Sequence, residues 1–581
     1  MDNTAQPEPV VNCHTHIFTG DHVPPYLAKT FLPGFLYWLL PLNLVVYLCR
    51  KWYKQVYPLQ FRPAYKRLQR VVYTIRIFIN RTFLLLAFYW IFGTWLTFQV
   101  FNIVAAFSGL QTSLPAWIRR VLAFMAQHRL LIKEPGTISS ILLVMALWLF
   151  FPTGRNFLLF VFKKFWSILG MMPGKQTKEL AGRYMNIGRF AFYENQKDVF
   201  RRLQHQYPDG TRFVILPMDM EFMGAGKVKQ DYYQQLRDLA ALKQNGGDIV
   251  LPFIFIDPRR IRRDADFFRY KIENDRVVLE DCVVKEYIEK QGFCGFKIYP
   301  ALGYYPFDED LLPVWRYAAE NGMPITTHCI RGTIFYRGKK KKAWDRHPVF
   351  QQADGNDQYS PMLLPERANK DFSVNFTHPL NYLCLLDETL LLRLLSGKDI
   401  RQETRDLFGY TGPEQPLKHN LSQLKICFAH FGGEDEWQRY FELDRDNFST
   451  QIVKHPGIGI TFLKNAKGQV TKGKLEMLWK GTDWYSIICS MMLQYDHVYS
   501  DISYIAHDNN IHALLKRTLQ KENSKLRRRV LFGTDFYVVR NHKSEKKIMA
   551  DTIAGLSTEE FDLIARQNPR RFLRLDVRYE M

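Results

Sequence analysis

The chain has 581 residues, 47% of them hydrophobic and 15% aromatic, with 34 glycines and 28 prolines. That composition excludes a disordered or collagen-like protein and leaves room for one large α/β barrel with additions, or for two to four ordinary domains. A formal charge of +22 raises the question of a nucleic-acid partner, but the excess is local: residues 29–180 hold 19 Lys and Arg against Glu134 and Glu179, a net of +17, and the rest carries only +5.

The opening stretch "PVVNCHTHIFTG" (9–20) predicts a short apolar strand that ends in His14 and His16. Two histidines two apart arise by chance often enough in a chain with 15 histidines that the pair decides nothing alone. Cysteines at 13, 49, 282, 294, 329, 384, 427 and 489 form no CxxC and mostly lie in apolar runs, which fits a reduced compartment.

Residues 29–180 read as a hydrophobic, basic insertion with three apolar stretches, Phe31 to Cys49, Phe83 to Phe107, and Thr137 to Phe151 with a continuation from Phe157. A bilayer-spanning helix needs about 20 such residues. "FLLLAFYWIFGTWLTFQVFNIVAAF" qualifies and is apolar all round; the first stretch is broken by Pro33 and Pro41, and the third is short. Residues 50–81 carry nine basic side chains and no acid, as a cytoplasmic juxtamembrane segment facing anionic headgroups would. The first apolar run starts only at residue 31 and follows Asp2 and Glu8, so no cleaved secretory signal is expected.

From residue 181 the texture changes to short β-branched or aromatic runs alternating with amphipathic helical patterns. The runs are 212–219, 248–257, 295–300, 324–329, 424–431, 497–503 and 529–536, and the opening strand makes eight. Eight such units predict a (β/α)8 barrel of the TIM type, interrupted after its first strand, in an α/β protein with domains 1–28, 29–180 and 181–581. Polar groups recur at the strand ends, where a barrel assembles its site: His14 and His16, Lys297, His328, His430 and Asp535. Imidazoles and a carboxylate suit zinc, manganese or iron(II).

"NCHTHIF", "GFCGFKIYPALGYYPFDEDLLPVWRYAAENGMPITTHC", "FTHPLNY", "ICFAHFGG", "VYSDISY", "RRRVLFGTDF" and "NPRRFL" together resemble the amidohydrolase superfamily, in its aminocarboxymuconate-semialdehyde decarboxylase-like branch, across most of 10–28 and 182–576. The insertion at 29–180 is not part of that pattern. The resemblance implies a divalent metal, zinc before manganese or iron, in one or two ions, held by His14, His16, His328 and Asp535, with His430 a second-metal ligand or substrate-polarising group. Lys297 in "FKIYPA" matches a lysine that some relatives carboxylate to bridge two metals; a structural lysine at the barrel rim fits equally.

A divalent ion acidifies water and polarises a carbonyl. Asp535 is then the candidate general base and acid, His430 the oxyanion partner, and Arg331 in "HCIRG" a fork for a substrate carboxylate or phosphate, or simply a solvated loop arginine. The run "RGKKKKAWDR" (337–346) reads as a solvated loop, and no nucleic-acid recognition fold accompanies it.

The insertion leaves in the first βα loop, on the catalytic face of a barrel, so its ends must emerge on one side of a bilayer and its crossings are even in number. These readings lead to a membrane-anchored, metal-dependent hydrolase of an amide, ester or lactone, with a small-molecule substrate of amphipathic or lipid-derived kind and a cytoplasmic barrel. The alternatives are a non-oxidative decarboxylase of the same branch and a non-catalytic membrane scaffold.

Overall fold

The computed structural model describes residues 8–32, 35–108, 114–132, 136–168, 174–355, 358–368, 371–442, 448–464 and 469–575. They form two compact units, one of residues 1–50 with 174–581 and one of 51–173.

The larger unit is built on eight parallel staves: β1 (Val11–Thr15), β2 (Arg212–Ile215), β3 in two pieces (Val250–Pro252 and Ile254–Phe255), β4 (Phe296–Ile298), β5 (Pro324–His328), β6 (Lys425–Ala429), β7 (Val498–Asp501) and β8 (Val530–Leu531). Each pairs in parallel with the next in chain order. The eighth returns to the first through a parallel bridge between Thr15 and Phe536 and the bond from Cys13 N to Phe532 O, 2.8 Å, which closes the barrel. Closure buries both faces of each stave, which is why these segments read as continuous apolar runs without alternation. Two side-chain clusters follow. Val11, Cys13, Val214, Leu251, Phe253 and Cys427 belong to the inner one, while Phe213, Ile215, Phe296, Ile325 and Phe428 lie in the outer layer.

The break in β3 falls at Phe253, where the stave passes from β2 to β4: Phe253 N donates to Ile215 O (3.0 Å) and Ile254 N to Gly295 O (2.9 Å). Gly295 permits this crossing, because a Cβ there would lie 2.6 Å from Phe253 Cζ and 2.7 Å from Pro324 O. Two antiparallel hairpins decorate the barrel, Tyr270–Glu273 with Arg276–Leu279 and Arg346–Ala353 with Tyr359–Leu363; the sequence reading contained neither.

The flanks of the expected 29–180 insertion belong to the larger unit and pack with the barrel. Helix Leu42–Gln55 buries Leu42 and Val46, and helix Gly174–Phe190 buries Leu180 and Ile187, all in the outer core. The Arg50 guanidinium forks onto Asp21, with Nη1–Oδ1 3.2 Å and Nη2–Oδ2 2.9 Å. The apolar stretch from Phe31 to Cys49 therefore holds a short turn, Leu36–Leu39, and the start of an amphipathic helix; its described residues contain no membrane-length helix.

The smaller unit is helical: Pro63–Arg81, Leu84–Ser108, Ala116–Gln127, Thr137–Phe150 and Pro152–Ile168. Leu84–Ala106 is long and apolar enough to cross a membrane, with mean hydropathy 1.6 over a window that is 17% buried. Thr137–Phe150 and Pro152–Val161 reach that length and apolarity only together, as a pair bent by 101° at their junction, where Pro152 starts a new helix. Phe150 packs on Tyr89 and Phe92, at centroid distances of 5.1 and 5.4 Å, over Gly93.

Candidate metal centre

The strand that carries His14 and His16 does not keep its register. Pairing between β1 and β2 shifts between Asn12 and Thr15. Before the shift Val11 and Cys13 share the inner cluster, and after it His14 and His16 converge on the barrel's C-terminal end. A bulge of this kind re-aims side chains that strict alternation would send to the other face. Asp535 and His430, beyond the ends of β8 and β6, adopt positive φ (63° and 66°), a conformation that costs a non-glycine residue on the order of 1–3 kcal/mol and concentrates at functional sites.

His14 Nε2 and His16 Nε2 stand 3.2 Å apart, and Asp535 Oδ1 lies 3.2 Å from the second and 3.6 Å from the first. Each ring's other nitrogen is committed: His14 Nδ1 to Asp501 Oδ2 at 3.0 Å, and His16 Nδ1 to the carbonyl of Leu216 at 2.7 Å. Both acceptors require an N–H, so both Nε2 atoms present lone pairs to one another and to the carboxylate. Burial, with Lys297 and His16 adding, holds His14 well below the usual imidazole range, so His14 stays neutral. Two imidazole Nε2 atoms and a carboxylate oxygen facing one another form a donor set that suits a divalent cation. Ligand atoms about 2.0–2.2 Å from one tetrahedral ion stand roughly 3.3–3.6 Å apart, and the observed separations of 3.2, 3.2 and 3.6 Å lie within about 0.1 Å of that range.

Asp501 and Ser503 are the site residues that the sequence reading missed. Asp501 Oδ1 accepts from the backbone N–H of His430 and of Ser503, both 3.0 Å. The Ser503 hydroxyl donates to Asp501 and lies 3.0 Å from His14 Nδ1 and 2.9 Å from His430 Nδ1. His14, His430 and Asp501 also form a cluster of possible ligands, but these internal bonds occupy the atoms that face each other, so the cluster is an orienting network behind the first group. The signal was available in "VYSDISY": a carboxylate ending an apolar stave obeys the same rule that singled out the histidines.

His328 does not lie within 4.8 Å of all three converging atoms; it pairs with His430 instead, Nδ1 to Nε2 at 3.1 Å, with its ring stacked on Tyr299 at 3.8 Å. His430 gives its Nδ1–H to Ser503, which leaves Nε2 bare. Burial carries His430 down to about 3. A neutral ring with a bare Nε2 can act as a ligand or an acceptor, but it offers no proton to an oxyanion. Lys297 is fully buried with no hydrogen-bond partner for Nζ among the described residues, and burial takes it down to about 8.

A cleft of about 610 Å³ opens over the group, reached by His16, His328, His430 and Asp535. Arg331 stands at the neighbouring mouth, where Glu366 Oε1 at 3.3 Å and Glu436 Oε1 at 3.8 Å already engage it. The cation in the cleft itself is Arg183, from helix Gly174–Phe190.

No family model matches the sequence, and no curated protein matches it significantly. Among solved structures the chain is similar to 2,6-dihydroxybenzoate decarboxylase from Rhizobium (13% identity, TM-score 0.34, covering 66% of this chain and 92% of that one). It is similar too to a dihydroxybenzoic acid decarboxylase from Polaromonas sp. JS666 with bound manganese and the inhibitor 2-nitroresorcinol (13%, TM-score 0.32, 71% and 92%). A third likeness is to an uncharacterized TIM-barrel protein from Bordetella bronchiseptica (11%, TM-score 0.32, 65% and 82%). Likenesses at this distance say nothing of reaction or substrate.

Proposed function

We propose that the chain is a membrane-anchored, metal-dependent hydrolase that cleaves an amide, ester or lactone. One observation carries the reading: two imidazole Nε2 atoms and a carboxylate oxygen converge at 3.2–3.6 Å while outer partners hold each ring in the ligand tautomer. His14, His16 and Asp535 would hold one divalent cation; His328, His430 and Lys297 stand ready to extend the set. Zinc, manganese and iron(II) all suit these donors. When bound, such a cation acidifies water and polarises a carbonyl.

The chain's own residues supply the rest. Asp535, at the floor of the cleft, is placed to take a proton from the attacking water and return it to the leaving group. Asp501 fixes the tautomer of His14 and the loop that bears His430. His430, with no proton on Nε2 while neutral, would join the metal; as the oxyanion partner it would need its proton on that atom.

The anchor would be a hairpin of two crossings, out through helix Leu84–Ala106, whose 23 residues reach about 35 Å at 1.5 Å per residue, enough for a hydrocarbon core of about 30 Å, and back through the bent pair Thr137–Phe150 and Pro152–Val161. The amphipathic helix Pro63–Arg81 exposes Leu68, Val71, Val72 and Phe78 beside Lys66, Arg67, Arg70 and Arg76, a pattern that suits an anionic leaflet and a cytoplasmic barrel.

Full-length protein in detergent, loaded with zinc or manganese and offered aryl esters, anilides and lactones, tests the reading. It expects chelator-sensitive turnover that Asp535→Asn lowers about 1,000-fold or more. Carbon dioxide release from aromatic acids without cleavage of any ester, anilide or lactone would replace it with a decarboxylase.

A further inference from the structure

Helix Gly174–Phe190 connects residues 51–173 back to the barrel, and one face of it forms part of the cleft wall. Asn186 Nδ2 donates to the carbonyls of Val538 (2.8 Å) and Tyr537 (3.3 Å), just beyond Asp535, and Ile187 is buried against the outer core. Arg183 precedes them by three and four residues, on the same face of the helix. Its neighbour is aromatic: the guanidinium carbon lies 5.7 Å from the Tyr504 ring centroid.

Arg183 also lines the adjoining mouth, together with the carboxylates of Glu179, Glu434, Asp435, Glu436 and Asp535, yet it makes no ion pair within 4.0 Å among the described residues. Arg331, by contrast, is held by two of the chain's acids. A half-buried guanidinium beside a cation site, with no carboxylate at ion-pair distance among the described residues, has its fork of donors free for a ligand. The remaining wall is apolar, with Phe18, Val23, Leu27, Ile187, Met218 and Met220.

We infer that Arg183 is the specificity-determining residue of this site, and that it binds the acidic head, carboxylate or phosphate, of a substrate whose apolar body fills the cleft. The inference rests on the hydrolase reading for the reaction, but not for the recognition.

Calorimetric titration of the full-length protein in detergent, metal-loaded and metal-free, with 4-phenylbutyrate, phenethyl phosphate and the neutral 4-phenylbutyramide tests it. A charge-assisted pair predicts that the wild type prefers at least one acid over the amide by about tenfold or more in both forms. Arg183→Ala should abolish the preference, Arg183→Lys retain part of it, and Arg331→Ala leave it in place. A preference that survives Arg183→Ala, that vanishes on metal removal, or that the wild type never shows would overturn the assignment. Metal content, measured on the same samples, judges the parent reading separately: a metal-free wild type that still selects acids through Arg183 refutes the hydrolase alone.

Discussion

Asp501→Asn probes the support of the candidate metal centre without touching its converging atoms. Asp501 is fully buried, accepts from two backbone N–H groups through Oδ1, and takes the His14 Nδ1–H through Oδ2 at 3.0 Å. An asparagine that keeps its oxygen toward the backbone turns its NH2 toward His14. The imidazole must then accept at Nδ1 and carry its proton on Nε2, the atom that faces His16 and Asp535. Losing an orienting partner of this kind costs about 10–100-fold in metal affinity, or about 1.4–2.8 kcal/mol. Competition against a chromophoric chelator measures it, with thermal melting as the control that the barrel persists. Wild-type affinity in a folded Asp501→Asn protein would refute the assigned tautomer and the argument built on it.

Gly533→Ala would place a Cβ 2.9 Å from His14 Cβ and 3.3 Å from His14 N, so it should destabilise the barrel by about 1–3 kcal/mol in denaturant titration and weaken metal binding with it. Glu545 is buried and accepts from Tyr207 and Thr534, both at 2.7 Å, and burial raises its carboxyl to about 7. A carboxyl raised from an ordinary value near 4.5 holds a proton in the folded state that the unfolded chain has released, so stability falls as pH rises between those values. Glu545→Gln should flatten that decline, by an amount on the order of 3 kcal/mol, in melts from pH 4.5 to 7. Ile91→Arg puts a charge on the exposed face of helix Leu84–Ser108, at a cost of up to about 3 kcal/mol in a bilayer core. More of that variant than of the wild type should be released by alkaline carbonate extraction; equal release would speak against insertion of this helix.

The barrel was legible because burial on both faces leaves its mark in short β-branched and aromatic runs, and all eight expected staves contain strand in the structure. The exact placement of the site was less so. His14 and His16 share a face with the inner cluster only because β1 changes register between Asn12 and Thr15, and nothing in "VVNCHTH" announces a bulge. Asp501 and Ser503 escaped notice because their partners come from β1 and β6, hundreds and tens of residues away. Arg331 attracted attention by its position after His328, but its ion pairs to Glu366 and Glu436 depend on loops that have no local signature. Arg183 lay in the stretch from 181 read as barrel but at no strand end that would mark it, and its place in the cleft follows from how helix Gly174–Phe190 docks, through Asn186 and Ile187.

Elemental analysis of the purified full-length chain, beside a variant carrying both His14→Ala and His16→Ala, tests the centre of this account. It predicts at least one equivalent of zinc, manganese or iron in the wild type and less than a tenth of that in a folded double variant. A wild type that stays metal-free after reconstitution with all three ions, or a double variant that keeps its full equivalent, would contradict it.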